Sequence, residues 1–409
     1  MKRSMVIGGA AVCLCPAVLA QEPFRLDAAL GAEDWLTIKG EARARYETLD
    51  GQFRADLEGS DQGLLTRFLL LAEADAGPFD VGVEIQDARV FLDDSGSPVS
   101  RSFVNTLNVL QAYAKFKAPG FQGQDSWTDV FVGRQTISIG SKRQVQRVSY
   151  ANVINGFTGV HAIGRNPRGD EAHVFLAVPV DRRPEDRDRV GRIGFQFDRE
   201  QFGRRVYALH YRRADAFPSI GKDIWGEAYL YGLDEVDTDA FQTPNRSYLA
   251  PGFRVFRAES QGQWDIDVEI AGRFGSRRAT SDPSDEVDLD VAAARVHAEI
   301  GYTFDTPWRI RIGLDYDLAT GDRDPNDGRF DQYERLFDAR RTDLNNTSLH
   351  GPLTTVNLDA PGARIEFDRG LWDGRVSWKA ASLASETDAF VIARLRDPEG
   401  ESGSFVGHS

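Results

Sequence analysis

An antiparallel transmembrane β-barrel is the fold class this 409-residue sequence predicts, on three observations. Apolar and charged residues alternate over many segments, short turns alternate with long polar connections, and the chain opens on an export signal. The alternation is clearest from Trp264 to Phe274. There Trp264, Ile266, Val268, Ile270, Gly272 and Phe274 share one parity, and Asp265, Asp267, Glu269, Ala271 and Arg273 the other. From Trp308 to Leu318, Trp308, Ile310, Ile312, Leu314, Tyr316 and Leu318 alternate with Arg309, Arg311, Gly313, Asp315 and Asp317. A third run sets Ala294, Val296, Ala298, Ile300, Tyr302 and Phe304 against Arg295, His297, Glu299, Gly301 and Thr303. Successive residues of a strand point to opposite faces, so each run has one oily and one ionic side, which a helix would mix around its axis.

Shorter runs repeat the pattern. Ala42, Ala44 and Tyr46 alternate with Glu41, Arg43, Arg45 and Glu47; Leu110, Ala112, Ala114 and Phe116 with Gln111, Tyr113, Lys115 and Lys117. Ile193, Phe195 and Phe197 predict a strand over 192–198, and Val376, Trp378 and Ala380 another. Less regular candidates lie near 64–74, 80–91, 128–136, 171–180, 204–212, 224–233, 249–258 and 362–368.

The connections are of two kinds. Ser260-Gln261-Gly262-Gln263, Asp305-Thr306-Pro307 and Arg369-Gly370-Leu371 read as tight turns, whereas 275–288 and 319–361 are long and polar. Short turns at one end and long loops at the other are the topology of an outer-membrane barrel, here of about 16 to 18 strands when complete. Strands of about 10 residues also match a tilted bilayer crossing. A soluble β-sandwich or a solenoid would alternate too, with its apolar faces turned onto each other. Dense rows of both charge signs, Trp at the strand ends (Trp264, Trp308, Trp372) and the lack of a fixed short repeat favour the barrel.

Lys2 and Arg3 followed by the uncharged run Met5 to Ala20, with Val18-Leu19-Ala20 at its end, predict a signal peptide over 1–20 cleaved before Gln21. A lipidated Cys15 is a poorer match, since Val12-Cys13-Leu14 precedes it. Both cysteines, Cys13 and Cys15, fall in this segment, so the mature chain can hold neither a disulfide nor a thiolate site. A short lead, 21–34, precedes a barrel domain, 35–409. Export, acidity and the lack of cysteine together suit a Gram-negative periplasm or outer membrane, and the barrel pattern selects the outer membrane.

Composition narrows the function. With 49 Lys+Arg against 63 Asp+Glu, the net charge of −14 excludes non-specific nucleic-acid binding. A mean hydropathy of −0.40 and the lack of 18 uninterrupted apolar residues in the mature chain exclude a helical membrane protein. No Gly-x-Ser-x-Gly, Walker loop or His-Glu-x-x-His occurs. The six histidines, among them His161, His173, His210 and His297, lack metal-ligand spacing. Neither an enzyme nor a cofactor or metal is therefore expected. Asp322-Arg323-Asp324-Pro325-Asn326-Asp327-Gly328 fails the EF-hand rule, because its Gly comes one residue late and Tyr333 stands where the terminal Glu belongs.

From Trp35 onward the chain resembles the alginate export family of outer-membrane porins. The residues that carry this are Arg43-Ala44-Arg45-Tyr46-Glu47 with Asp50-Gly51-Gln52-Phe53, then Gly59-Ser60-Asp61-Gln62 with Thr66-Arg67, and Glu84-Ile85-Gln86-Asp87-Ala88-Arg89. Gln111-Ala112-Tyr113, Gly133-Arg134-Gln135, Gly140-Ser141-Lys142-Arg143 with Arg147, and Asn152 through Val160 continue it. Thr320-Gly321-Asp322-Arg323-Asp324 and Ser402 through His408 follow downstream. The resemblance implies a monomeric barrel through which an anionic polysaccharide such as alginate crosses the membrane, with an arginine-rich constriction that Arg45, Arg67 and Arg134 match. Family members continue beyond Gly407-His408 through roughly another hairpin. This sequence stops at Ser409, so the expected barrel lacks its C-terminal hairpin.

Inward faces become the pore wall. Arg43, Arg45, Arg67, Arg89, Arg134, Lys142, Arg143 and Arg147 are the candidate anion-binding cations, and Glu84 and Asp87 their acidic spacers. Fixed guanidiniums in a constriction draw in carboxylates and pair with them transiently. Such charges can also serve only as wall pairs. The expected function is passive passage of an anionic polysaccharide. A general porin for small anions and, less favoured, a barrel hydrolase stand beside it. Expected partners are outer-membrane lipid, lipopolysaccharide and periplasmic export proteins.

Overall fold

The computed structural model describes residues 31, 35–49, 60–94, 97–149, 151–324, 326–334, 336–337, 358–369, 372–380, 387–396 and 402–408. The predicted export segment with Cys13 and Cys15, nearly all of the lead, the motif residues 50–59, the stretch 338–357 and the turn at Gly370-Leu371 lie outside them.

The first strands are β1 (Leu36–Leu49), β2 (Asp61–Asp75), β3 (Phe79–Phe91), β4 (Asn105–Pro119), β5 (Trp127–Gln135), β6 (Phe157–Arg165) and β7 (Glu171–Asp181). The two-residue β8 (Arg199–Glu200) precedes β9 (Arg204–Arg213), β10 (Trp225–Glu235), β11 (Ser247–Arg257), β12 (Gln263–Arg278), β13 (Asp288–Thr303) and β14 (Arg311–Ala319). After the two-residue β15 (Arg329–Phe330) come β16 (Leu358–Arg369), β17 (Trp372–Ala380), β18 (Thr387–Arg396) and β19 (Ser402–His408). All belong to one sheet in which each long strand pairs antiparallel with the next. β8 prolongs the position of β9 beside the end of β7, and β15 runs parallel to the start of β13. With these two set aside, the strands among the described residues fall in the range expected of the complete barrel.

One expected strand is absent. The Ile193/Phe195/Phe197 alternation follows a five-residue helix α1 (Arg187–Gly191), whose N-cap Asp186 accepts from the Arg189 N–H. Instead of joining a backbone ladder, this segment is held by side chains of β4: Thr106 Oγ1 donates to Ile193 O, Asn108 Nδ2 to Gln196 O and Asn105 Nδ2 to Asp198 Oδ1, and Asn108 Oδ1 accepts from Asp198 N. An alternation of three apolar residues is too short to distinguish the two.

Burial follows the alternation, but inside out. On β12, Trp264, Val268, Ile270 and Phe274 are exposed while Asp265, Glu269 and Arg273 are buried. On β14, Ile312 and Leu314 are exposed and Arg311, Asp315 and Asp317 are buried. A sandwich would bury the oily stripes against each other; here they form the convex surface and the ionic stripes line the interior. Trp35, Trp127, Trp264 and Trp308, all exposed, sit at the short-turn end of their strands, as a membrane-interface girdle requires. Leu314 is 60% exposed midway along β14. Leu314→Arg should therefore cost about 2–4 kcal/mol of stability in lipid vesicles, read by denaturant unfolding, with Leu314→Phe near neutral. A cost well below 1 kcal/mol would place that stripe outside the hydrocarbon.

Candidate functional site

Gln135 ends β5 directly opposite Phe157, which starts β6, so a few residues would suffice to join them. Instead, residues 136–156 fold into the barrel as a strap. Its aliphatic residues explain the direction. Ile137, Ile139 and Val145 are buried with Phe157, Phe175, Val206, Tyr229 and Tyr231 on the inner wall of β6–β10, and Ile154 is buried with Leu69 and Leu110. The lumen is thus partly filled by an apolar core, and is not the uniformly ionic hollow that strand alternation alone suggests.

Ion pairs fix the strap to two opposite arcs of the wall. Arg147 donates both Nη atoms to Glu84 of β3, at 2.9 and 2.6 Å, and Gln111 Nε2 holds the same carboxylate at 2.5 Å. Arg143 donates to Glu269 and Asp267 of β12 at 2.8 and 2.9 Å, and Tyr229 supports Glu269 at 2.6 Å. On β1 and β2, Arg43 and Arg67 reach the main chain of the strap. Arg43 donates to Ser149 O and Ala151 O at 3.1 and 2.9 Å, and Arg67 to the same two carbonyls at 2.6 and 2.5 Å. Asn152 Nδ2 bonds the carbonyls of Thr66, Arg89 and Phe103. A buried charged pair of this kind holds geometry more than it adds stability, since desolvation offsets most of the attraction.

A second inserted piece zips onto the first. Phe337 N donates to Gln144 O, Gln146 N donates to Phe337 O, and Tyr333 meets the Gln144 amide at 3.0 Å. Arg246 and Arg277 both donate to Glu334, at 3.1 and 2.9 Å. The buried Arg273 guanidinium lies between the rings of Tyr248 and Tyr333, 4.4 and 4.5 Å from their centroids.

The predicted site residues divide into three groups. Arg43, Arg45, Arg67 and Glu84 face inward; Arg45 pairs with Glu47 at 2.6 Å and Arg67 with Glu41 at 2.5 Å. Lys142, Arg143 and Arg147 ride on the strap, where Lys142 is exposed at φ 65°. The expectation that all ten line the pore needs correction for the rest. Asp87 and Arg89 have the parity of exposed Val81 and Val83, opposite to buried Glu84, Gln86 and Ala88, and pair with each other at 3.0 Å. Glu84 and Asp87 differ by three positions, and a period of two cannot put both on one face. Arg134 likewise shares its face with exposed Val132, not buried Gln135, and donates to Glu200 at 2.6 Å and Val109 O at 2.9 Å.

Other ionic clusters went unforeseen. His161, His173 and His210 form a row across β6, β7 and β9: His161 Nε2 meets His173 Nδ1 at 3.0 Å, His173 Nε2 meets Glu171 at 2.8 Å, and the His173 and His210 rings stand edge to face. Strand register gathers them, and their sequence spacing gave no sign of it. Among the described residues no group of three or more His, Cys, Asp or Glu could hold a metal ion. Near the short-turn end, Arg311 faces Asp265, Glu299 and Glu366 at 2.5–2.6 Å and Glu259 at 3.4 Å. In the 182–203 connection, burial raises the Asp198 carboxyl to about 6, although the Arg183 N–H and the Asn105 amide favour its charged form.

A family model described as alginate export matches residues 34–408. The chain belongs to the alginate export family. Solved barrels of similar length share its fold. OccK9 (OpdG) of Pseudomonas aeruginosa aligns at TM-score 0.56 and 11% identity, over 92% of this chain and 94% of that one. A BenF-like porin of Pseudomonas fluorescens Pf-5 aligns at 0.57 and 11%, over 91% and 94%. OccK2 (OpdF) of Pseudomonas aeruginosa in complex with glucuronate aligns at 0.53 and 10%, over 91% of each chain. No sequence among curated proteins matches. Family and fold together support an outer-membrane channel.

The inserted strap was legible in principle. Ile137, Ile139, Val145, Val153 and Ile154 are too many aliphatics for a connection that stays in water.

Proposed function

We propose that the channel passes anionic polysaccharide of the polyuronate type through the gap that the strap leaves free, passively and after export directed by residues 1–20. The supporting observation is that cations hold the strap across the lumen. Arg43 gives its bonds to main-chain carbonyls, and Lys142 projects from the strap. Among the described residues neither has a carboxylate within ion-pair distance. Fixed positive charge at a narrowing raises the local concentration of carboxylates, and guanidinium pairs are exchanged as a chain advances. Periplasmic export proteins would then deliver a polymer to a monomeric barrel.

A narrow gap also suits small carboxylates, the second reading. The OccK2 barrel that this fold resembles was solved with glucuronate and another with vanillate. Planar-bilayer recording separates the two. Polyuronate added to the wild-type channel should reduce an anion-selective current; block by monomeric carboxylates alone would favour the small-solute porin, and a cation-selective current would refute both. Arg43→Ala with Lys142→Ala should take away at least half of the anion preference, measured as a shift in reversal potential. An unchanged potential would leave these residues as wall and strap supports.

A further inference from the structure

Four guanidiniums of the inner wall gather toward the long-loop end: Arg204 of β9, Arg246 just before β11, and Arg273 and Arg277 of β12. Among the described residues they share one wall carboxylate, Glu235, which pairs with Arg204 and, at 2.7 Å, with Arg246. The second acid comes from the inserted segment. Glu334 takes Arg277 at 2.9 Å and Arg246 at 3.1 Å. Arg273 has neither: its Nε, Nη1 and Nη2 all lack a hydrogen bond, in a residue only 1% exposed. The rings of Tyr248 and Tyr333 lie over it, at 4.4 and 4.5 Å. Tyr333 and Glu334 are consecutive, so one inserted segment covers Arg246, Arg273 and Arg277 together.

Aromatic faces recover only part of the hydration that a guanidinium loses on burial, and a carboxylate paired through its N–H groups recovers more. Arg273 is therefore a buried cation in want of an anion, and the acid nearest along the chain to its Tyr333 cover belongs to a segment outside the wall. Two guanidiniums on one carboxylate are also how this wall would grip an acid arriving from solution. We propose that Glu334 is an internal stand-in for a solute carboxylate. The solute acid takes Arg246 and Arg277 from Glu334, Tyr333 leaves with the 331–334 segment, and Arg273 is uncovered as a third cation for the incoming anion. The exchange swaps carboxylate for carboxylate, so Arg246 and Arg277 are not left without an acid. The inference rests on the reading that the solute is anionic, and adds a contact inside the channel that such a solute must break.

Thiol labelling and titration calorimetry on the full-length barrel in detergent test it, with glucuronate as probe and glucose as the neutral control. Gln332→Cys, with Cys13 and Cys15 replaced by Ala, puts a single reporter next to Tyr333. Saturating glucuronate should speed its labelling at least threefold, and glucose should not. Adding Glu334→Gln to the reporter should give fast labelling without solute, and glucuronate should bind that variant at least tenfold more tightly because the internal competitor is gone. Arg273→Met with Arg277→Met should weaken glucuronate tenfold or more. Arg273→Met alone removes a buried cation that has no acid, so its denaturant midpoint should stay or rise; a lowered midpoint would make Arg273 a strut of the wall and sink its role here. Labelling that ignores glucuronate, equal affinity in wild type and Glu334→Gln, no saturable binding in either, or the same response to glucose would overturn the inference. A mannuronate trimer that binds Glu334→Gln more tightly than glucuronate identifies a polymer as the source; weaker binding identifies free sugar acids, and either supports the exchange. An anion-selective current from a barrel whose reporter ignores glucuronate removes this inference alone. A cation-selective current removes the channel reading instead.

Discussion

Replacing residues 136–156 by a short Asn-Gly turn should more than double the single-channel conductance while the barrel still inserts. The wall can close without the strap because Gln135 and Phe157 are already paired at the ends of β5 and β6. A two-residue turn matches the twist of such a hairpin. What is lost lies inside: the pairs of Arg147 with Glu84 and of Arg143 with Asp267 and Glu269, and the apolar cover over Phe157, Phe175 and Tyr231. Removing Lys142, Arg143 and Arg147 together with the obstruction should also lower anion preference, because Glu84, Asp267 and Glu269 then face the water uncompensated. An unchanged conductance would mean that the strap does not bound the conducting path. The milder Arg147→Ala should increase current fluctuation without opening the pore fully, since Arg143, Arg43, Arg67 and Asn152 still hold the strap.

Arg311→Met should destabilise the barrel by about 3–5 kcal/mol, the cost of leaving buried carboxylates without their cation. The Arg311 side chain is 3% exposed and donates to Asp265, Glu299 and Glu366, with Glu259 at 3.4 Å. Arg364 also reaches Glu299, at 3.0 Å, and compensates only part of that charge. Denaturant unfolding in lipid vesicles measures the loss. Arg311→Lys should recover a minor share of it, because one ammonium cannot fork to several acids on different strands. Adding Asp265→Asn to Arg311→Met should recover more. A loss under about 1 kcal/mol would show that water reaches these acids and that the cluster behaves as an exposed network.

How far the sequence could be read depended on whether an interaction was local in the chain. Alternation from Trp264 to Phe274 and from Trp308 to Leu318 foretold strands and their two faces, the second starting three residues later than its run, because a strand's parity is set by the backbone alone. The same parity sets Asp87 and Arg89 on the face opposite Glu84, and Arg134 on the face opposite Gln135. The Ile193/Phe195/Phe197 run misled because it is short and its backbone is held by the side chains of Thr106 and Asn108.

By itself, the sequence determined a sheet with an oily and an ionic side, tight turns at one end, and an acidic chain whose cysteines both precede residue 20. The tertiary structure alone decided which strands are neighbours, and so which charges meet. His161, His173 and His210 become a row, Arg311 gathers carboxylates from turn and strands, and the strap joins β3 to β12. The physical reason is that alternation belongs to each strand's own backbone, whereas register and the path of an inserted loop are settled by contacts between residues far apart in the chain.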